Sequence, residues 1–301
     1  MTINKLSQPD GSNRKFLNQE INLQYHWYMF VFFFIYYGSL IIPAIIFMSF
    51  ILLYYLPYFL ESKNIVTIFT SLNPLVGSLL MPIVIIICYL IHLFFIGLIT
   101  RWFWGITEKK SPSKSGNIPR NIPSKTLNYY HIRSFMIKYP KNAMLRGPFP
   151  WLIKWLYNFV GTNKIGKGSV VEEEFSGDRF VEIGSNSYIG TGSAISSHAV
   201  DGIFGNISYS KIRIGNNVTT AGYNCIGPGV EIGDNATLLP LTGATKNNIL
   251  KNDNYYFGVP LRRIFKKRLL EYLQISEEEL KKADDLFNEY NQNKKEVMKA
   301  E

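Results

Sequence analysis

The sequence is poor in the residues that make covalent crosslinks and metal sites. Its 301 residues include only two cysteines, Cys88 in an apolar run and Cys225 in a glycine-rich region, and only four histidines. Two cysteines in such different surroundings do not indicate a disulfide framework, which favours a reducing compartment for the soluble part of the chain. No Cys/His cluster has the spacing of zinc ligands, so we expect no metal site.

The chain also lacks the short motifs of several large enzyme classes. It has no P-loop, no dinucleotide-binding fingerprint and no nucleophile elbow. The formal net charge of +10 invites a nucleic-acid interpretation, but the basic residues cluster beside apolar runs and near the C-terminal end of a periodic region. A membrane surface and a polyanionic ligand explain that placement better, so we expect no nucleic-acid partner.

Charged residues are absent from two long stretches of the first third. None occurs in residues 27–60 or in residues 64–100. Each stretch is far longer than the core of a signal peptide, and a single membrane crossing needs about 20 apolar residues. We therefore predict a transmembrane hairpin over residues 27–104, preceded by a polar arm over residues 1–26. The alternative is a pair of buried core helices in a soluble protein.

The basic residues predict how this hairpin is oriented. The turn between the two crossings contains only Lys63, whereas six basic residues follow the second crossing, namely Arg101, Lys109, Lys110, Lys114, Arg120 and Lys125. Short segments rich in Lys and Arg face the cytoplasm. We predict a multi-pass protein of the cell membrane with its soluble domain on the cytoplasmic side.

Residues 105–160 combine a polar segment with an amphipathic one. Residues 109–125 are rich in Ser, Pro, Lys and Asn, which is typical of a linker. Further on, one face of a predicted helix collects the apolar residues Trp151, Leu152, Trp155, Leu156 and Phe159. Such a helix suits the lipid headgroup layer, and it could also cap the first turn of the domain that follows.

A repeat of six residues runs through the second half of the chain. An aliphatic residue followed by glycine recurs as Ile183-Gly184, Ile189-Gly190, Ile214-Gly215, Ile226-Gly227 and Ile232-Gly233. We predict a parallel β-helix over residues 161–264, in which one aliphatic side chain per hexad points into a narrow core. Gly and Asn at the bends would accept backbone angles that a Cβ resists. A Gly-rich antiparallel domain is the alternative, but it requires a period of two.

The periodicity is interrupted between Asp201 and Lys211, which predicts a loop near a binding site. His198, the only histidine of the coil, stands at the edge of this interruption. A neutral imidazole can accept a proton from a hydroxyl or amine that attacks an acyl carbon. Asp201 could orient the ring or only shape the turn, and a surface histidine without a catalytic role is the alternative for His198.

The end of the chain predicts one more helix. Ser276 and Glu279 have the spacing of a capping box, and apolar residues recur on one side of the segment that follows. We predict a C-terminal α-helix over residues 265–301 that packs on the coil.

The coil carries a resemblance to a known family. Together with its Gly258-Val259-Pro260 ending, it resembles the left-handed β-helix hexapeptide-repeat acyltransferases. The segment His198-Ala199-Val200-Asp201-Gly202 resembles the His-x-x-Asp-Gly element of the xenobiotic and galactoside acetyltransferases, whose histidine is the catalytic base. Membrane helices followed by such a coil resemble the C-terminal region of polylysine-synthetase-type nonribosomal enzymes. The resemblance implies an all-β left-handed parallel β-helix and a homotrimer whose active sites lie between adjacent subunits.

The same resemblance implies acyl-coenzyme A as the donor substrate, with no bound cofactor. Thr245, Lys246 and Arg262 match the coenzyme A contacts of the family, and Pro240 falls in the stretch that approaches the thioester. That stretch is commonly Gly-Ala-Gly in the family and is Leu239-Pro240-Leu241 here. A second basic residue expected after Arg262 is replaced by Phe265.

These features predict a membrane-anchored acyltransferase. It would move an acyl group, such as acetyl, from a coenzyme A thioester to a hydroxyl or amine of a lipid or lipid-linked acceptor, although the acceptor follows from location alone. One alternative is a non-catalytic trimeric membrane scaffold, which the altered stretch 239–241 favours. The other is a transferase that takes an acyl or aminoacyl group from a carrier protein.

Overall fold

The computed structural model describes residues 25–61, 64–120, 122–172, 177–201 and 206–265, together with single positions between 270 and 292. The predicted arm and most of the predicted C-terminal helix therefore lie outside the described residues. The capping box is described: the backbone N–H of Ser276 donates to Glu279 Oε2 over 2.8 Å, and the backbone N–H of Glu279 donates to Ser276 Oγ over 3.2 Å.

Two long apolar helical segments form the N-terminal part. Helix α1 (Tyr25–Phe50) continues through a π-helical turn (Ile51–Tyr55) into α2 (Leu56–Glu61), and after α3 (Ile65–Thr70) the helix α4 runs from Leu72 to Lys110. Tyr25–Leu60 and Leu72–Lys110 are each long and apolar enough to cross a membrane, and only 11% and 17% of their most apolar windows are buried inside the protein. Such exposure does not fit the alternative of two soluble core helices.

Residues 105–160 are more ordered than a linker. After α4 come strand β1 (Gly116–Pro119) and the helices α5 (Lys125–Met136), α6 (Lys138–Leu145) and α7 (Leu152–Val160). The polar composition of residues 109–125 suggests a linker because it gives no apolar periodicity. A strand at a sheet edge needs none, since its backbone makes the hydrogen bonds.

Helix α7 contacts both helix α4 and the coil. Trp155 and Phe159 stack with their ring centroids 4.9 Å apart, and the Trp155 ring lies so close to α4 that a Cβ added to Gly97 would meet it at 2.8 Å. Leu156 and Tyr157 are fully buried in the core that continues into the coil. The structure thus places α7 as a cap on the first coil, and its position in the headgroup layer stays a prediction.

The remaining strands wind around one core as three parallel sheets. The first sheet contains β2 (Lys164–Ile165), β4 (Val181–Ile183), β9 (Ile212–Ile214), β12 (Glu231–Ile232) and β15 (Ile249–Leu250). The second contains β3 (Val170–Val171), β5 (Tyr188–Ile189), β10 (Thr219–Thr220), β13 (Thr237–Leu238) and β16 (Tyr255–Phe257), to which β17 (Arg262–Ile264) adds antiparallel. The third contains β6 (Ala194–Ile195), β11 (Cys225–Ile226) and β14 (Gly243–Ala244). This is the predicted parallel β-helix.

One coil takes eighteen residues, except where the chain leaves the β-helix. Ile165 pairs with Ile183, and Ile214 pairs with Ile232, each eighteen positions apart. Ile183 and Ile214 are also partners, although thirty-one positions separate them. The additional residues form an antiparallel hairpin of β7 (His198–Asp201) and β8 (Asn206–Tyr209), and β1 pairs with the outer edge of β8. This hairpin is the interruption that the sequence predicts.

The glycines of the aliphatic-glycine pairs lie before the bends, and the glycines at the bends have the expected positive φ, as at Gly192 (φ 69°) and Gly229 (φ 74°). Gly184 does not have a positive φ; instead, a Cβ added to it would lie 2.5 Å from the carbonyl oxygen of Gly215 in the next coil. The left-handed backbone occurs two positions later, at Asn186 (φ 56°), Asn217 (φ 54°) and Asn235 (φ 58°). The Nδ2 of Asn217 donates to Asn235 Oδ1 over 3.1 Å. Close approach of coils therefore requires Gly184, and asparagine or glycine forms the bend.

Gly184→Ala should destabilise the coil. The new Cβ would overlap the backbone of the next coil, which is fixed by the hydrogen bond from Gly184 N to Ile214 O over 2.8 Å. We expect the free energy of unfolding to fall by about 1–3 kcal/mol, measured by denaturant titration of the detergent-solubilised protein with circular dichroism. Gly116→Ala is the control, because an added Cβ there meets nothing within 4 Å. Equal losses in the two variants would contradict this explanation.

Candidate active site

The hairpin leaves the β-helix at the corner between the third and first sheets. Strand β6 ends at Ile195 on the third sheet, and β9 begins at Ile212 on the first sheet. Two later coils turn the same corner through residues 227–230 and 245–248. His198 at the start of the hairpin and Lys246 two coils later therefore share one corner of the coil.

His198 is half-buried against aromatic and basic groups of its own chain. Its ring meets Tyr130 of α5 edge-on, with centroids 5.9 Å apart at 75°. Tyr209 is the partner of His198 across the hairpin, and its ring lies 5.5 Å from that of Tyr130. The guanidinium of Arg179 lies 4.8 Å from the Tyr130 ring and is almost fully buried. The predicted base thus lies within a packed cluster and does not stand free in a turn.

This environment lowers the pKa of His198. Burial is the main cause, because it disfavours the charged imidazolium, and repulsion by the Arg179 guanidinium acts in the same direction. The carboxylate of Asp178 opposes both effects. The ring is therefore neutral at pH 7, which is the form that a general base requires.

Ser196 is the polar side chain in contact with the ring in the described part of the hairpin. Its hydroxyl donates to the carbonyl oxygen of His198 over 2.6 Å, and its Oγ lies 3.4 Å from Nδ1. A hydroxyl that already donates its proton can only accept from Nδ1–H. In that tautomer, Nε2 carries the lone pair and is the basic atom.

The predicted partner Asp201 is described only in its backbone. It is the last residue of β7 and pairs with Asn206. Its side chain lies outside the described part of the structure, so its role as the group that orients His198 stays a prediction.

Lys246 reaches the hairpin from its own coil. Its Nζ donates to Ser208 Oγ on β8, and Ser208 Oγ donates to Asn117 Oδ1 on β1 over 3.1 Å. Ser208 pairs with Ala199, the residue after His198. A cation is therefore held beside the strand that carries the predicted base.

The other predicted contacts with the donor are distributed over the surface. Thr245 is exposed beside Lys246, and its Oγ1 donates to Asn248 Oδ1 over 3.0 Å. Arg262 is exposed on β17, at the end of the second sheet. Pro240 is exposed at another corner, between the second and third sheets. Within one chain, the structure brings Thr245 and Lys246 to the corner of His198 but not Arg262 or Pro240.

Sequence reasoning missed most of the groups that surround the histidine. Tyr130 and Arg179 lie on other elements, and nothing in their local sequence connects them to His198. Ser196 was accessible to such reasoning, because a hydroxyl two residues before a histidine on a strand lies on the same side of the chain.

The coil is similar to solved structures of hexapeptide-repeat acetyltransferases. A hexapeptide-repeat-containing acetyltransferase from Vibrio cholerae matches with 21% identity and a TM-score of 0.32, over 36% of this chain and 64% of its own. Maltose O-acetyltransferase from Clostridium difficile 630 matches with 24% identity and a TM-score of 0.32, over 35% of this chain and 59% of its own. A galactoside acetyltransferase solved with coenzyme A matches with 27% identity and a TM-score of 0.29, over 36% of this chain and 56% of its own.

These matches cover less than two thirds of each of the three proteins. No protein-family model and no curated protein matches the chain. With TM-scores below 0.5, these matches assign no role to any residue of this chain.

Asp178→Asn should extend activity to lower pH if His198 is the base. Loss of the carboxylate removes the interaction that raises the pKa of His198, so this pKa falls further. A general base works when deprotonated, and activity disappears as the pH falls through its pKa. The acid limb of kcat/KM for thioester turnover should therefore move to lower pH.

Asp253→Asn is the control for this change. Asp253 has a φ of 56° at an exposed bend, and asparagine occupies the equivalent positions 217 and 235. The acid limb of kcat/KM for Asp253→Asn should coincide with that of the unmodified protein. An upward shift or no shift in Asp178→Asn would contradict the assignment.

Proposed function

We propose that the protein is a membrane-anchored acyltransferase in which His198 acts as the general base. The observation that carries the proposal is the position of the neutral imidazole of His198. It is packed at the start of the only hairpin that leaves the described part of the β-helix, and it shares its corner with the cation of Lys246. The resemblance of the coil to left-handed hexapeptide-repeat acyltransferases supports the same reaction class.

The reaction would follow from one proton transfer and one bond exchange. Nε2 of His198 accepts the proton of an acceptor hydroxyl or amine as its oxygen or nitrogen attacks the carbonyl carbon of the thioester. The new C–O or C–N bond forms, the C–S bond breaks, and the imidazolium returns the proton to the departing thiolate. Alignment of the two substrates supplies much of the rate, and the base adds about 10²–10⁴-fold.

The donor would be acyl-coenzyme A, which brings phosphates to the site. Lys246 supplies a positive charge beside the hairpin, and the hydroxyl of Thr245 lies next to it. Charge-assisted hydrogen bonds from such a lysine suit phosphate oxygens. Arg262 would add a second cation from the end of the coil.

A homotrimer would bring the dispersed residues together. Pro240 lies at a different corner from His198, so in this proposal it completes the site of an adjacent subunit. Leu241 and Tyr223 at the same corner have exposed apolar side chains, which an interface would cover. Asp201 would orient the ring of His198 together with Ser196.

The anchor would hold the site at the cytoplasmic face of the cell membrane. Both long helices would cross the bilayer, and the basic residues after α4 would remain inside. A lipid or lipid-linked acceptor would then reach the coil without leaving the membrane.

The scaffold alternative has one supporting observation. Leu239 is 4% exposed, and its backbone N–H donates to Tyr256 O over 3.0 Å. This residue serves the core of the coil, as it would in a protein that only trimerises. Transfer from a carrier protein instead of coenzyme A would leave the role of His198 unchanged.

His198→Ala should reduce thioester turnover by about 10²–10⁴-fold, because the attacking group would lose its proton acceptor. The measurement is thiol release by the purified, detergent-solubilised protein with acetyl-coenzyme A and a lipid extract. Coenzyme A affinity should remain unchanged. His26→Ala, at an exposed position near the start of α1, should retain full turnover. Turnover that survives in His198→Ala would support the scaffold or another base.

Lys246→Ala should weaken coenzyme A binding by about tenfold or more, because a charge-assisted hydrogen bond to phosphate is lost. Isothermal titration calorimetry measures this affinity. Lys251→Ala removes an exposed lysine five residues later, just past β15 of the first sheet, and should bind coenzyme A as the unmodified protein does. Absence of coenzyme A binding in the unmodified protein would favour a carrier-protein donor.

A further inference from the structure

A cavity of about 610 Å³ lies between the membrane helices α1 and α4 and the helix α5. Most of its wall is apolar and is formed by Trp27, Val31, Phe103, Ile106, Ile132 and Met136. Lys110 and Lys125 also line it, and both lysines are exposed, so they mark its open end. Along α4, the seven positions from Phe103 to Lys110 span about 10 Å. The cavity is therefore amphipathic along its length, with an apolar end and a basic end.

A second cavity of about 380 Å³ shares Lys110 with the first. It lies between the end of α4, strand β1 and the opposite side of α5. Hydroxyl and amide groups supply much of its lining, from Ser111, Ser113, Ser115, Asn117 and Thr126. This lining offers hydrogen bonds of both senses to a polar ligand.

The second cavity reaches two aromatic residues of the candidate active site. Tyr130 and Tyr209 line it. These are the two rings that pack around His198, with Tyr130 in edge contact and Tyr209 as its strand partner. Helix α5 carries Tyr129 and Ile132 on the wall of the first cavity and Tyr130 and Arg133 on the wall of the second. One helix thus separates the membrane cavity from the base, and the two cavities meet at Lys110.

The charges at this junction select an anion. None of the described lining residues of either cavity is acidic. Lys110 and Lys125 form no ion pair with any residue that the structure describes, whereas the charge of Arg133 is met by Glu108 at 3.2 Å. Two uncompensated lysines between an apolar and a hydroxyl-rich space favour a phosphate that joins two chemically different groups.

We infer that the two cavities form one binding site for a membrane lipid in which a phosphate links an apolar chain to a hydroxyl-rich headgroup. The chain occupies the first cavity, the phosphate contacts Lys110 and Lys125, and the headgroup occupies the second cavity. A headgroup hydroxyl there lies beside Tyr130 and Tyr209, the two residues that pack around His198. The inference names the acceptor class of the proposed transfer and rests on it for that step, whereas lipid binding itself can be measured without any turnover.

The test uses the full chain in nanodiscs of phosphatidylcholine that contain either phosphatidylinositol or phosphatidic acid. Native mass spectrometry counts the lipids that remain bound after the disc is removed. We expect phosphatidylinositol to be retained in preference to phosphatidic acid, which lacks a headgroup, and to phosphatidylcholine. Lys110→Ala should reduce this retention by about tenfold or more.

Lys109→Ala is the matched control, because Lys109 is an exposed neighbour on α4 and lines neither cavity. It should retain phosphatidylinositol fully.

A second pair of variants tests the apolar end of the first cavity. Ile106→Trp should fill this cavity and displace the lipid. Leu98→Trp, at an exposed position of α4 outside both cavities, should not. Three results would overturn the inference. They are equal retention of the lipid by both members of either pair of variants, equal retention of all three lipids, and crosslinks that place the N-terminal arm in the first cavity.

The same samples separate the inference from the proposed function. His198→Ala should bind phosphatidylinositol normally and should not acylate it. The unmodified protein could retain phosphatidylinositol selectively, in a way that depends on Lys110, and still transfer no acyl group from acetyl-coenzyme A. That result would support the lipid site and contradict the acyltransferase. Transfer that persists in Lys110→Ala at unchanged rate and without lipid retention would uphold the acyltransferase and overturn the lipid site.

Discussion

The hydrogen bonds between successive coils constrain where the hairpin and its histidine lie. The N–H of Gly184 donates to Ile214 O over 2.8 Å, and the N–H of Gly215 donates to Ile232 O over the same distance. The hairpin lies between Gly184 and Ile214 in the chain, whereas no hairpin lies between Gly215 and Ile232. Because parallel register is kept across the insertion, the added residues must leave and re-enter at one corner. His198 stands where the chain departs, and its position is fixed by this register.

The three-stranded sheet of β1, β8 and β7 connects the long apolar helix α4 to this corner. Strand β1 follows directly on the end of α4, and its Asn117 accepts a hydrogen bond from Ser208, which in turn accepts one from Lys246. Beneath the sheet, Ile118, Leu127, Tyr130, Ile207 and Tyr209 form a small core separate from that of the coil. A residue of β1, a residue of the hairpin and a residue of the last coils are thereby joined by consecutive hydrogen bonds.

Sequence periodicity predicted the parts of this protein that repeat. One aliphatic residue per hexad gave the core positions Ile183, Ile189 and Ile195, and the interruption of the hexads located the hairpin and its histidine. The uncharged runs gave the two long helices. Gly and Asn have left-handed backbone angles at the bends, as predicted, for example at Gly192 and Asn186, whereas Gly184 has an ordinary backbone conformation and is needed where two coils approach closely. Periodicity reports that a position is constrained, but it does not report which contact constrains it.

The surroundings of His198 could not be predicted in this way, because they come from distant elements. Tyr130 precedes the coil, Arg179 belongs to an earlier corner, and β1 has no apolar pattern of its own. The pairing of β1 with β8 has a further consequence for the coil as an independent unit. A fragment that begins at residue 161 would keep every hexad but lose β1 and α5, so the outer edge of β8 would present unpaired N–H and C=O groups to other molecules. Free strand edges promote association with neighbouring chains, and the smallest part of this protein that protects its own hairpin therefore starts before Gly116.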